Sequence, residues 1–471
     1  MFDSELLTLA RDAALRFLTG LPTRRVRAAA TVDELRASIA GPLPAVGLED
    51  RQVVAELERL LEPGLVASAG PRYFGFVTGG TLPAALAAEW LTTAWDQNAF
   101  SHVMSPAASV VEEVAASWLL GVLGLPAHAS VGFVTGGQMA NFTCLAAARF
   151  EVLRRASVDV EETGLHGAPE VRVFVGEQGH VTIATALRLL GFGTRQVVRV
   201  SCDDQGRMLA PELAAALQRW DGPAIVCTQA GNVSTGSFDP LREIIDAAHA
   251  RGAWVHIDGA FGLWAAAHPE LRKLAAGFEA ADSWAIDGHK WLNVSYDSGF
   301  AIVADPRAHK SALRVGAAAY LVQSEHAARD GSDWVPESSR RARGIAVYAA
   351  LRSLGRRGVA ELVERCCTLA RRIADGLAKT AGATILNDVV LNQVLVRFDA
   401  EEAPDTQSGD TLTRAIIERV QRDGVCWAGP STYGGRAVLR ISISNWSTTE
   451  RDVDLSVEAI ATAARACRSR Q

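Results

Sequence analysis

Between about residue 80 and residue 310, six short and almost wholly apolar segments alternate with helical stretches, and few folds accept that pattern. The segments are Val131–Val134, Val171–Val175, Ala224–Thr228, Trp254–Ile257, Ser283–Ile286 and Phe300–Val303. A strand with no polar face has to be covered on both sides. The pattern therefore predicts an α/β unit in which a mostly parallel central sheet lies between layers of helices.

The flanks read differently. The opening MFDSELLTLARDAALRFL carries Asp3 and Glu5 and predicts an amphipathic helix, not a signal peptide. It starts a helix-rich segment punctuated near Gly20-Leu21-Pro22 and Gly41-Pro42-Leu43-Pro44. A long helix is expected from Arg343 to Lys379, followed by strands at Val390–Phe398 and Val438–Ser444 and helices at Leu412–Arg422 and Val453–Ala464. At 471 residues the chain is too long for one small core. The expected division is an N-terminal helical segment 1–75, a large domain 76–320 and a small C-terminal α/β domain 321–471.

Several classes of function are disfavoured. A formal net charge of -6 offers no basic face to nucleic acid, so Arg340, Arg341 and Arg343 read as helix surface, subunit contacts or anion binding. Apolar runs are broken by charge or glycine before about 18 residues, and no membrane span is expected. Seven dispersed cysteines without a CxxC pair fit buried thiols in a reducing cytoplasm, which sets the expected location. Ten histidines without close ligand spacing argue against a catalytic metal.

The polar residues fall where such a sheet carries its chemistry, at the carboxyl ends of strands. Thr135-Gly136-Gly137, Glu177-Gln178-Gly179-His180, Thr228, Asp258 and Asp287-Gly288-His289-Lys290 each follow or close a strand. Lys290 leaves an apolar strand in a short loop, and desolvation there is expected to lower its pKa so that the amine reacts with an aldehyde. Asp258 ends a buried strand, where a carboxylate needs a cation, and a protonated pyridine nitrogen is such a cation. Its plain alternative is a cap for the segment after Gly259. Gly136 and Gly137 let a backbone turn approach a phosphate at the start of a helix, although many strand-to-helix turns hold two glycines. His180 is suited to stacking on a flat ring or moving a proton, or simply to capping the next helix. Together these residues point to pyridoxal 5'-phosphate (PLP).

The set resembles the group II PLP-dependent amino acid decarboxylases, which include the aromatic amino acid and glutamate decarboxylases. The likeness covers roughly residues 30–465 and centres on His289-Lys290-Trp291, with Leu292-Asn293-Val294 and Tyr296-Asp297 behind it. It implies PLP fold type I, the aspartate aminotransferase-like architecture, and a homodimer with its active sites at the subunit interface. Lys290 would hold the cofactor as a Schiff base, Asp258 would pair with its ring nitrogen, and His180 would stack on the ring. Thr228 matches a threonine beneath the cofactor. Gly137, Gln138 and Ser283 match phosphate contacts, with His289 beside them. Pro71-Arg72-Tyr73-Phe74-Gly75-Phe76 resembles a segment lining the substrate pocket, which makes Tyr73, Phe74 and Phe76 the substrate candidates. The implied reaction is loss of carbon dioxide from an L-amino acid, protonation of the carbanion and release of an amine.

Two departures bear on that reaction. Asp287 stands where many relatives have asparagine beside the phosphate, and an extra anion there needs a compensating donor. The stretch Val322–Asp333 matches a mobile loop that carries a proton-donating tyrosine in relatives, but it contains none; Tyr320 matches a different position. His180, His326 or a partner-subunit group are the alternatives for that proton. The departure keeps open other chemistry at the alpha carbon: oxidation to an aldehyde, aldol-type carbon–carbon bond chemistry or transamination. A non-catalytic subunit is disfavoured by the intact Lys290 and Asp258. An aromatic or hydrophobic substrate is expected from Tyr73, Phe74, Phe76 and Trp95, against Arg72 for an acidic side chain and Glu89 for a basic one.

Overall fold

The structure is a computed structural model that describes residues 3–313, 328–399 and 406–469. It divides into two compact units. The larger holds residues 79–371 and 387–394, and the smaller holds 1–78, 372–386 and 395–471.

The larger unit is built on seven strands: β1 (Ser130–Val134), β2 (Arg172–Gly176), β3 (Val197–Val200), β4 (Ala224–Gln229), β5 (Trp254–Asp258), β6 (Ser283–Asp287) and β7 (Gly299–Val303). Their order is β1-β7-β6-β5-β4-β2-β3. Only β7 runs against the others, pairing antiparallel with both β1 and β6. Every residue of β1, β4, β5, β6 and β7 is buried, which is why those segments read as continuous apolar runs. The six expected strands are all present. β3 was not expected: Val197-Val198-Arg199-Val200 lies at the sheet edge, half exposed and split by a charge.

The register sets what faces what. In parallel pairing, Gln229 lies beside Asp258, His256 beside Ser283, and Asp258 beside Ala285. Side chains alternate along a strand, so Gln229, His256, Asp258, Ser283 and Asp287 share one face. The helix Gly137–Arg155 packs across β5, β6 and β7.

The second sheet holds β8 (Ala383–Ile385), β9 (Gln393–Phe398), β10 (Gly429–Tyr433) and β11 (Arg436–Ser442), in the order β10-β11-β9-β8, and lies in the smaller unit except for the first two residues of β9. The expected boundaries at 75 and 320 do not coincide with this division. Residues 1–78 belong to the smaller unit because backbone bonds tie them to its C-terminal part: Val26 N–H to Gly424 O, Phe74 N–H to Trp427 O and Ser442 N–H to Phe74 O, each 2.8 to 2.9 Å. The larger unit continues to Arg371, inside the helical stretch Gly344–Leu377, which breaks at Gly355 (φ 62).

Among the described residues one helix, Pro106–Leu123, is long and apolar enough to cross a membrane by length and composition, although no such run was expected. Its Glu112 shows why it is a core element. That carboxylate is 2% exposed, accepts two hydrogen bonds from Arg340 at 2.7 and 2.8 Å, and faces Arg329 at 3.3 Å. Arg340 is therefore a buried partner and not surface. Arg341 pairs with Glu89, and Arg343 with Asp297 at 2.6 Å. Glu89 is thereby committed within the fold and is not a lone carboxylate awaiting a basic substrate. Removing one partner of such a pair leaves a buried charge uncompensated. Glu112→Gln is expected to cost about 3–5 kcal/mol of stability, read as a lower midpoint in urea unfolding.

Candidate active site

A cavity of about 340 Å³ opens at the carboxyl edge of the larger sheet. The turn after β1 supplies Thr135, Gly136, Gly137 and Gln138; β4 supplies Gln229; β5 supplies Asp258; and the loop after β6 supplies His289 and Lys290. His180 and Thr182 close one side, and Phe261 closes another. A second hollow of about 560 Å³ is lined by Asp203, which pairs with Arg207, and by Lys273, which pairs with Glu270.

Lys290 sits 2.9 Å from Asp287 Oδ2, and its side chain is 19% exposed. Burial works to lower its pKa, but the charge of Asp287 and the hydrogen bond to it outweigh burial, with Asp258 and Tyr296 acting the same way. The net direction is upward. The expectation that desolvation alone frees the amine is corrected on this point: the amine is held as an ammonium by a carboxylate three residues before it. Its backbone is fixed as well. Gly79 packs so closely that a Cβ there would fall 2.0 Å from Lys290 O, and Gly80 N–H donates to Asn293 Oδ1 at 2.7 Å.

Asp258 is 6% exposed at the end of β5. Ala260 N–H donates to its Oδ1 at 3.2 Å, so the capping role is present, while Asn141 Nδ2 donates to Oδ2 at 3.3 Å. Asn141 is a hub that sequence reading passed over. It also donates to Thr182 Oγ1 at 3.1 Å, and its own carbonyl accepts from His256 Nε2 at 2.9 Å. The other ring nitrogen of His256 accepts from Ser283 Oγ at 3.0 Å, and Ser283 Oγ accepts from Trp254 Nε1 at 2.9 Å. Each donor and acceptor in this chain has one consistent role when His256 is neutral. Burial pushes the His256 pKa down to about 4, with Asp258 opposing the shift. The signal for His256 lay in Trp254-Val255-His256-Ile257-Asp258, where the imidazole is a polar intrusion two residues before the carboxylate and so on its face.

The capping alternative for His180 is present: Nδ1 accepts from Thr182 N–H at 3.4 Å at the start of the helix Val181–Leu189 and bonds Thr182 Oγ1 at 2.8 Å, and the residue also lines the cavity. The structure brings Lys290, Asp258, His180, Gly137, Gln138 and His289 to one cavity. Two expected contacts lie elsewhere. Thr228 pairs with Ile257, on the opposite face from Asp258, and its hydroxyl donates to buried Asp239 at 2.7 Å; Gln229 takes the cavity side. Ser283 begins β6, about 13 Å of strand before the loop that reaches the cavity, and is committed to His256 and Trp254.

Tyr73 and Phe74 are buried in the smaller unit, and Phe76 is 65% exposed there. Tyr73 and Phe76 stack on Trp427 with centroids 4.9 and 5.4 Å apart. Arg72 donates to the carbonyl of Arg24 at 3.3 Å. Tyr320, His326 and the first half of the tyrosine-free stretch, 322–327, lie outside the described residues.

The cavity fits PLP on its donor set. It combines a lysine, a carboxylate at the end of the neighbouring strand, and a two-glycine turn opening a helix with no side-chain cap of its own. A Cβ on Gly136 would fall 2.7 Å from His289 Cε1, so the turn has room for backbone only.

Comparison with known proteins agrees. The pyridoxal-dependent decarboxylase conserved domain matches residues 34–399. The chain is 30% identical over 435 residues to an L-2,4-diaminobutyrate decarboxylase of Rhizobium meliloti, covering 90% of this chain and 84% of that one. It is 25% identical over 458 residues to 4-hydroxyphenylacetaldehyde synthase of Rhodiola rosea, covering 95% and 91%. Among solved structures, Oryza sativa TDC with PLP and tryptamine superposes with a TM-score of 0.91 over 99% of both chains at 24% identity, which establishes the fold as type I.

The His256 shift sets an acid limit on the fold. A histidine held neutral to about pH 4 contributes stability that is complete above its ordinary 6.5 and is lost as pH falls through about 4. The contribution is about 3 kcal/mol. Melting temperatures measured from pH 7 to 4 are expected to fall less steeply in His256→Gln than in the unaltered protein.

Proposed function

Because this chain belongs to the pyridoxal-dependent decarboxylases and is a PLP-dependent carboxy-lyase, we propose that it removes carbon dioxide from an aromatic or hydrophobic L-amino acid at the 340 Å³ cavity. The observation that carries the reading is the convergence of Lys290 and Asp258 on one cavity from the carboxyl ends of neighbouring strands. Bound PLP supplies an electron-poor ring that accepts the electron pair left when a bond at the alpha carbon breaks.

The protein's part is attachment, orientation and proton control. Lys290 is the attachment point and must first lose the proton that Asp287 helps it keep. Asp258, fixed by Asn141 and Ala260, would hold a proton on the ring nitrogen. His180, anchored by Thr182, would lie against a ring face, and Gly137, Gln138 and His289 would surround the phosphate. Thr228 and Ser283 have no direct part in this scheme; they support Asp239 and His256.

The aromatic substrate class is supported by the tryptamine and 4-hydroxyphenylacetaldehyde named for two similar proteins. A second reading, oxidative decarboxylation to an aldehyde, is favoured by the tyrosine-free stretch 322–333 and by the aldehyde synthase relative. With mixed amino acids, carbon dioxide and amine are expected both in air and without oxygen. Lys290→Ala is expected to lose the visible absorption band and the turnover. Aldehyde, ammonia and peroxide formed only in air would replace the first reading with the second.

We also propose a homodimer. The helices Ser4–Gly20, Val32–Ile39 and Asp50–Leu61 contain no buried residue, yet Leu7, Leu15, Val32, Val53 and Leu57 are exposed on them. Light scattering on the eluting protein is expected to give twice the chain mass of 50.1 kDa, and a value near one chain mass would refute the dimer.

A further inference from the structure

The helix Gly137–Arg155 opens at Gly136 without a side-chain cap of its own. Free amides at such an end favour an anion, and here the anion is part of the chain. Gly137 N–H donates to Asp287 Oδ1. The same carboxylate, 2% exposed, lies 3.3 Å from His289 Nε2 through Oδ1 and 2.9 Å from Lys290 Nζ through Oδ2. A Cβ on Gly137 would fall 2.9 Å from Asp287 Oδ2, so the carboxylate fills the concavity that the glycine opens. One buried carboxylate thus engages the turn's first amide, the neighbouring imidazole and the reactive amine together.

We propose that Asp287 is a resident anion in the phosphate cradle, so that loading the cofactor exchanges one anion for another and at the same time releases Lys290 from its carboxylate partner. This rests on the reading of the cavity as the PLP site. Gly137 has a single N–H, and a phosphate that takes it must displace Asp287. A carboxylate and a phosphate left side by side in a partly buried turn repel each other. The displaced carboxylate no longer holds the proton on Lys290, so the group that admits the phosphate also controls the amine. An asparagine of the same shape would carry no charge and could donate a hydrogen bond, which removes both effects.

The test uses the full-length chain freed of cofactor by dialysis against a carbonyl reagent. Inorganic phosphate binding is measured by calorimetry and PLP binding by the growth of its visible band, for the unaltered protein, Asp287→Asn and Asp287→Ser. Circular dichroism identifies the variants that fold. Both substitutions are expected to raise the affinity for inorganic phosphate by ~10-fold or more, and that for PLP in the same direction. Uptake of PLP with phosphate affinity unchanged or weakened in both variants would overturn this proposal and leave the site reading standing. A chain that takes up no PLP in any form would overturn both. Should neither variant fold, the unaltered protein still decides through pyridoxal, which lacks the phosphate: inorganic phosphate that leaves the growth of its imine band with Lys290 unchanged would overturn the proposal, and phosphate that increases it would support it.

Discussion

Five strands of the larger sheet are buried along their whole length, and a strand in that position tolerates a polar atom only if the atom is bonded. His256 and Ser283 both break the apolar run. They are accommodated because parallel register sets them side by side, with the helix Gly137–Arg155 bringing Asn141 over them. Asn141 then reaches two further groups, Asp258 at the strand end and Thr182 beneath His180. The polar chain that satisfies the core therefore also orients two of the residues that face the cavity.

Charge at the cavity is arranged with the same economy. Lys290 carries the positive charge, and Asp287 and Asp258 lie around it. His289 is held toward its neutral form, by burial first and by Lys290 as well, against the pull of Asp287. Had burial been the only force on Lys290, its amine would have been free. The ion pair reverses that direction, and it does so through Asp287, the carboxylate that also caps the glycine turn. Attachment of the cofactor and recognition of its phosphate are thereby linked through one side chain.

The residues with the strongest local signal were legible in sequence. Lys290, Asp258 and His180 were picked out because polar groups at the ends of apolar strands are costly without a purpose, Gly137 because a glycine turn at a helix start admits an anion, and Gln138 and His289 by the resemblance; all line the cavity. Thr228 was drawn in by its place at a strand end and by the resemblance, and Ser283 by the resemblance. Proximity along a strand misleads in two ways: neighbours point to opposite faces, which removed Thr228, and a five-residue strand separates its two ends widely, which removed Ser283. Asn141 went unassigned because an asparagine on a helix has no local reason to matter; its three partners come from β5 and from the start of another helix.

The sequence by itself determined the α/β class, six of the seven strands of the central sheet and the residue types at their carboxyl ends, because burial on both faces and the cost of unpaired polar groups act on local stretches of chain. It did not determine the pairing of Glu112 with Arg340, which explains a helix apolar enough to be mistaken for a membrane span. Nor did it determine the grouping of residues 1–78 with the C-terminal sheet, which depends on backbone bonds between segments hundreds of residues apart. The direction of the Lys290 shift belongs with these. Local sequence supplied the buried amine, but only the tertiary structure turned Asp287 toward it and so decided that the ammonium form is favoured.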